Sequence, residues 1–374
     1  MSRIKVLHVT FDMAIAGTEQ VIRQLVENTD PVKFDTSIMC IDGRIGDLGQ
    51  ELIKKGIKID SIKREASGLD FGLIKTLKTY VKLNNIDVLH CHQYTPYVYG
   101  LFASLGTSTP VIFTEHGRFY PDSYKWKRVL LNPILSLFTS SITAISKATA
   151  EALIKYENFP RRKVTVIYNG IQFNPSSFSN NSNLRKELGI DKEANLLGTI
   201  ARLDTIKNQS MMIEAFAQVV KHFPNSYLLI VGDGPEREPL EQLRKKLCIQ
   251  ERVIFTGFKI NPQRFFNIID IFLLPSLSEG TSMTLLEAMA FKKPAIVTDV
   301  GGNPEIVKHN VTGLVTPNKD MPAFSKAIQE LLKDPTKANK LGLQGLNRYN
   351  QLFKAEEMVN KYQNLYLNFS KHNQ

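Results

Sequence analysis

The sequence predicts an α/β protein of two doubly wound, mostly parallel sheets, and three observations carry that expectation. Short apolar runs alternate with amphipathic helical stretches along the chain, which is the pattern of βαβ units. A polar, helix-breaking stretch at 174–183 interrupts the alternation, which then restarts. The length of 374 residues exceeds what one core ordinarily organises. Two such domains leave a cleft between them, and ligands of open α/β sheets bind beyond the carboxyl ends of the strands.

Taken in order, the first half offers strands at 4–10, 34–40, 57–62, 87–91, 111–114, 141–144 and 164–168, with helical patterns at 18–27, 72–83 and 147–156. The opening run is broken by His8 and Asp12, so it reads as a buried first strand and not as a signal peptide. Residues 129–145 hold Asn132, Pro133 and several Ser and Thr. They read as a helix running into a strand, because a bilayer span needs about 20 apolar residues. After the polar stretch come strands at 196–201, 227–231, 253–256, 271–274 and 295–298 and helices at 208–221, 236–247, 282–291 and 321–332. A last helix at 356–369 has Tyr362, Leu365, Tyr366 and Phe369 available for packing.

Composition narrows function only a little. Hydrophobic residues make up 43% and charged residues 22%, as in a globular protein. The net charge of +11 admits nucleic acid, an anionic membrane surface or phosphate-bearing substrates. The basic residues are spread along the chain, so charge alone selects none of these. Cys40, Cys91 and Cys248 are scattered and lack metal spacing. They fit a reduced, cytoplasmic compartment, with burial as the plain expectation for each.

The chemistry-bearing segments fall at strand ends. After the strand at 271–274, a loop with Glu279, Gly280 and Thr281 leads into a helix near Ser282 and Met283. Gly280 allows close backbone approach, and the helix start favours a phosphate. Glu279 and Glu287 flank that anion site and suit hydroxyls of a sugar and a ribose; a dipole-facing Glu and a surface Glu would read equally well. Arg202 and Lys207 follow the strand at 196–201, where phosphates would lie, though a solvated loop pair fits as well. Gly232-Asp233-Gly234-Pro235 and Thr256-Gly257-Phe258 are turns at the same sheet edge. Gly17-Thr18-Glu19 opens a helix after the first strand without the full Gly-x-Gly-x-x-Gly pattern. His116, before Gly117 at a strand exit, can face a cleft or sit as a structural histidine. His90 and His92 flank Cys91, but ligand spacing for a metal is lacking. No Asp-x-Asp occurs in the chain, so no metal or other cofactor is expected.

Together these segments resemble the retaining glycosyltransferases of family 4, which have the GT-B fold. The likeness also runs through Glu115-His116-Gly117, Tyr168-Asn169-Gly170-Ile171 and the stretch at 297–307. It implies an N-terminal acceptor-side domain at 1–175, a nucleotide-sugar domain at 176–352, and a helix at 353–374 returning toward the first domain. It implies that Arg202 and Lys207 hold the diphosphate, that Glu279 binds donor-sugar hydroxyls, and that the amides after Gly280 cap the phosphates. Glu287 would hold the ribose, His116 would sit beside the donor sugar, and Gly17 with Thr18 would close on the diphosphate. The segment at Gly257 and Phe258 would hold the base. Relatives often have Glu-Gly-Phe-Gly where this chain has Glu279-Gly280-Thr281-Ser282, which leaves the donor sugar open. The variant looks like members that build bacterial surface polysaccharides or lipid-linked glycans.

The expected reaction is metal-independent sugar transfer, with retention, from a nucleotide-sugar (UDP by resemblance) to a glycan or lipid-linked acceptor. Basic and aromatic residues at 118–128 are expected to line the acceptor side and to touch an anionic membrane surface from the cytoplasmic face. An ordinary exposed loop explains them as well. The rival readings are a nucleotide-sugar epimerase of the same fold and a non-catalytic nucleic-acid binder. Scattered charge and the lack of a recognised module disfavour the latter, so no nucleic-acid partner is expected.

Overall fold

The structure is a computed structural model that describes residues 3–65, 68–117, 122–173 and 183–370. The polar stretch thus lies outside the described residues up to 182, as do Arg118, Phe119 and Tyr120. The chain forms two compact units. One runs to Gln172 and takes up the chain again from Ala355, and the other is Phe173–Lys354.

The first unit holds β1 (Ile4–Thr10), β2 (Phe34–Cys40), β3 (Lys58–Ser61), β4 (Val88–His92), β5 (Val111–Glu115), β6 (Ser141–Ala144) and β7 (Val164–Val166). They form one parallel sheet in the order β3-β2-β1-β4-β5-β6-β7. The order reverses direction at β1 and β4, where a ligand crevice is expected. Register pairs His8 of β1 with His90 of β4, and His92 with Thr114 of β5.

The second unit holds β8 (Asn195–Ile200), β9 (Ser226–Val231), β10 (Val253–Gly257), β11 (Ile271–Leu274), β12 (Ala295–Thr298) and β13 (Gly313–Thr316). The order is β10-β9-β8-β11-β12-β13, again parallel, with the reversal at β8 and β11. Runs such as Ile271–Leu274 are buried along their whole length. That is why they read as continuous apolar stretches and not as alternating ones.

The last helix, Ala355–Phe369, belongs to the first unit, where it packs on the helix Gly17–Asn28 and on β1. Tyr362 and Tyr366 are fully buried there, and Ala355 N donates to Ile171 O at 3.0 Å.

Several elements have no counterpart in the sequence reading, among them the helices Asp47–Lys54, Tyr94–Ser104, Leu184–Glu187, Asn303–Ile306 and Pro335–Leu352, and β13. Tyr94–Ser104 is buried around most of its circumference, so it lacks the apolar stripe that marks a surface helix. One expectation is corrected. Cys40 and Cys91 are buried, but Cys248 is exposed. It follows the helix Arg237–Lys246 at a positive φ of 56°, in the turn that carries the chain away from the core. Among the described residues no helix is long and apolar enough to cross a membrane.

Candidate functional site

In the second unit, the loops leaving β8 and β11 meet at the strand-order reversal. Asp204 accepts from Lys207 N at 3.1 Å and so closes a short 3-10 turn, Thr205–Lys207. That turn is tied to the β11 loop, because Leu277 N donates to Ile206 O at 2.7 Å and Asn208 Nδ2 to Pro275 O at 3.2 Å. Lys207 Nζ then reaches Glu279 Oε1 at 2.7 Å, and Ser276 Oγ donates to the same oxygen at 2.7 Å. The Glu279 side chain is only 7% exposed. A buried carboxylate of this kind needs both partners. Arg202 stands exposed on the same loop with no ion pair among the described residues.

Two glycine features hold these loops. Gly232 and Gly234 have φ of 141° and 159°, and a side-chain carbon at either would collide with the carbonyl oxygens of Ala201 and Leu203. The turn at 232–235 therefore lies flat against the Arg202 loop, with Leu203 N donating to Asp233 O at 3.0 Å. Gly301, at φ 48°, stands in the same relation to the carbonyl of Glu279, which accepts from Gly302 N at 3.1 Å.

Ser282 caps the helix Met283–Ala290 by accepting from Leu285 N at 3.4 Å. Thr281 and Ser282 are buried, and Gly280 and Met283 are half-buried. On that helix Glu287 accepts from Gln263 Nε2 at 3.0 Å, and burial pushes its carboxyl up to about 7 against the pull of that hydrogen bond. Gly257 ends β10 at φ 70°, and Phe258 beyond it is 59% exposed.

In the first unit, four imidazoles gather at the other strand-order reversal. His8 Nδ1 lies 3.0 Å from His92 Nε2, and His92 Nδ1 lies 2.8 Å from His116 Nε2. His90 is held apart from this row, with Nδ1 at 2.7 Å from the Tyr366 hydroxyl and Nε2 at 2.7 Å from Thr114 Oγ1. Burial drives His8 and His116 down to about 3 and holds His90 and His92 well below the ordinary range. All four are neutral at physiological pH. Each neutral ring has one N–H, so the row His8–His92–His116 must run with a single polarity. His8 Nε2 and His116 Nδ1 are its ends, without a partner among the described residues.

His8, His90 and His92 have ligand-capable atoms within 4.8 Å of one another. Apart from His8 Nε2, however, their nitrogens are already turned to each other, to His116, to Tyr366 and to Thr114. The strand's alternation also sends Cys91 to the opposite face, against Gly100, so His90, Cys91 and His92 do not converge.

His116 lines a recess of about 310 Å³ with Glu115, Tyr94, Lys125, Arg128 and Glu157. Glu115 accepts from the backbone of His116 and Gly117 at 3.0 and 3.3 Å. Burial, more than its neighbour Glu157, raises its carboxyl to about 8. Arg128 bonds Glu157 at 3.0 Å and lies 3.7 Å above the Tyr94 ring. Gly17 opens the helix Gly17–Asn28 with free space around it, and Thr18 Oγ1 accepts from Gln93 Nε2 at 3.4 Å.

Two family models match this chain in tandem. The model for Glycosyltransferase Family 4 covers residues 15–174, and that for Glycosyl transferases group 1 covers 180–348. The chain belongs to glycosyltransferase family 4. This glycosyltransferase is 28% identical over 306 residues to the N-acetyl-alpha-D-glucosaminyl L-malate synthase of Bacillus anthracis, covering 79% of this chain and 78% of that one. It is 26% identical over 387 residues to the UDP-Gal:alpha-D-GlcNAc-diphosphoundecaprenol alpha-1,3-galactosyltransferase of Escherichia coli, covering 98% and 97%. Among solved structures, Anabaena Alr3699/HepE in complex with UDP matches with TM-score 0.85 at 22% identity, covering 98% of this chain and all (100%) of that chain. Its fold is thus GT-B.

For this glycosyltransferase, Lys207 and Glu279 come into direct contact, and Arg202 shares their loop. Gly280, Thr281, Ser282, Met283 and Glu287 follow on one loop and helix. His116, Gly17 and Thr18 lie in the other unit. Sequence reasoning gave no role to His8, Ser276 and Gln263, and took Glu115 only as part of the Glu115-His116-Gly117 likeness. His8 had a signal, since a histidine inside an apolar strand asks for a partner on the same face. Ser276 lies only three residues before Glu279 on the same loop, but a loop serine is too common to stand out, and Gln263 had no signal because its partner is 24 residues away on another element.

Proposed function

We propose that this glycosyltransferase moves a sugar from a UDP-sugar to a glycan or lipid-linked acceptor in surface-polysaccharide assembly, with retention at the anomeric carbon and without a divalent ion. The observation that carries this reading is the Lys207–Glu279 pair beside the uncommitted Arg202, next to the amino end of the helix Met283–Ala290. Two cations and a helix start together suit a diphosphate. The lack of any Asp-x-Asp supports a leaving group neutralised by side chains. UDP and a lipid-linked acceptor are supported by the Escherichia coli relative, whose name gives both and whose match spans nearly the whole chain.

Glu279 is already bonded to Lys207 and Ser276, which makes it a poor nucleophile and a good acceptor for sugar hydroxyls. A front-side route follows. The acceptor oxygen bonds to the anomeric carbon on the face from which the phosphate oxygen departs, and that oxygen takes the acceptor's proton. Arg202, Lys207 and the helix amides stabilise the charge that develops there. Glu287 would hold the ribose, the Gly257–Phe258 segment the base, and neutral His116 would offer its free ring nitrogen beside the donor sugar.

Thermal shift across UDP-, GDP- and ADP-sugars tests the donor, and NMR of the product in the presence of EDTA tests stereochemistry and metal. UDP-sugars are expected to raise the midpoint, and the product to keep the donor's anomeric configuration with EDTA present. An inverted product would overturn retention, and loss of turnover in EDTA would overturn metal independence.

A further inference from the structure

We propose that the outer face of the helix Trp126–Leu137 seats this glycosyltransferase on an anionic lipid bilayer. The proposal deepens the lipid-linked-acceptor reading above by naming the surface on which that acceptor is met.

The helix is inside-out. Its protein-facing side carries Asn132 and Ser136, both fully buried. Asn132 donates to Glu157 O at 2.8 Å and accepts from the Tyr94 hydroxyl at 2.7 Å. Its solvent side carries Trp126, Leu130, Leu131, Ile134 and Leu137, all at least half exposed (50–67%), and Phe138 continues the row at 58%. At 100° per residue these positions span one arc of the helix. A soluble surface helix has the reverse pattern, and a contiguous apolar face of this size marks an interaction site.

Charge selects the occupant. Between 122 and 163 the sequence carries eight Lys and Arg against three Asp and Glu. Two of those acids, Glu151 and Glu157, are already bonded to Arg161 and Arg128. Lys125, Lys127 and Tyr124 are exposed at the amino end of the stripe. An apolar arc edged by lysines and interfacial aromatics is the composition of a helix lying in the plane of an anionic bilayer. A second copy of the chain would bring a like-charged surface against this one.

The location agrees. Lys125 and Arg128, at the start of the same helix, line the recess that holds His116. A helix seated on the bilayer would hold that recess at headgroup level, within reach of an acceptor whose anionic head projects from the lipid.

Trp126 is the only tryptophan in the chain, so its emission reports on this face alone. With vesicles of phosphatidylglycerol and phosphatidylcholine, the emission should shift to the blue and be quenched by brominated acyl chains. With phosphatidylcholine alone the shift should be much smaller. The double variant Leu130→Gln, Ile134→Gln alters exposed positions only. It should lower vesicle partition about 100-fold or more, from the apolar area withdrawn, while leaving UDP binding by thermal shift unchanged. Unchanged emission with anionic vesicles overturns the proposal. So does equal binding to neutral vesicles, or a blue shift that follows protein concentration without lipid, which would assign the face to a second copy. Failure of UDP binding with intact vesicle binding would overturn the donor reading and leave this one standing.

Discussion

Lys207 and Arg202 leave the same loop but differ in what each one holds. Lys207 is one of two partners of the buried Glu279 carboxylate, whereas Arg202 has no side-chain partner among the described residues. Lys207→Ala should therefore destabilise the second unit by about 1–3 kcal/mol, the cost of an under-satisfied buried group. Arg202→Ala should leave the unfolding midpoint where it was. Under the proposed mechanism both should lower turnover roughly 100-fold or more, since each would remove a charge that stabilises the leaving group. Thermal unfolding and steady-state kinetics on the two variants separate the effects, and wild-type turnover in Arg202→Ala would remove it from the site. Gly301 makes a backbone counterpart. A methyl there meets the Glu279 carbonyl, at a φ of 48° that strains any side chain. Gly301→Ala should cost about 1–3 kcal/mol and depress turnover by displacing Glu279. A variant that keeps both midpoint and rate would show that the loop yields without harm.

At the level of elements, the imidazole cluster depends on a helix distant in sequence. Tyr366 of Ala355–Phe369 gives its hydroxyl to His90, and Tyr362 places its own 3.2–3.3 Å from Thr114 and Thr143. Tyr366→Phe keeps the packing and removes the oxygen. His90 Nδ1 is then left unpaired in a fully buried site, which should lower stability by about 1–3 kcal/mol; urea unfolding of the variant measures it. An unchanged midpoint would mean that His90 finds another partner. The same cluster shows what a sequence can disclose. The strands at 271–274 and 295–298 are legible because buried parallel strands are nearly unbroken apolar runs. Arg202, Lys207 and the Glu279 loop are legible because they follow such runs. The row His8–His92–His116 is not, since it is assembled by register across three strands. The helix Trp126–Leu137 is legible as a helix, yet its inverted faces emerge only once Asn132 and Ser136 are seen to be inside.

For the molecule as a whole, the two units each place their polar side chains at a strand-order reversal and surround them with apolar sheet. Stability should then depend on pH in a calculable direction, most clearly in the first unit. Its four buried histidines sit below their ordinary value of 6.5, with His8 and His116 at about 3. The unfolded chain therefore binds more protons through them as pH falls below about 6.5, and stability is lost on that side. Glu19 and Glu115 are shifted the other way, from 4.5 to about 7 and about 8, both chiefly by burial. The folded unit holds their protons where the unfolded chain has released them, so their contribution is present at low pH and is lost as pH rises through 7 and 8. Near pH 5.5 the histidines outnumber the carboxyls, and stability should climb with pH. Above about pH 7 the carboxyls dominate the difference, joined toward pH 9 by the Cys40 and Cys91 thiols that burial also pushes up, and the slope reverses. Each uncompensated proton is worth about 1.4 kcal/mol per pH unit. Thermal or urea unfolding between pH 4 and 9 should thus give a maximum at about pH 6.5–7 with the steeper fall on the acid side. Replacing His8 by Phe should flatten the acid limb by about one proton without moving the alkaline one. A flat profile across that range, or an acid limb untouched by His8→Phe, would show that the imidazoles are not buried neutral in the folded protein.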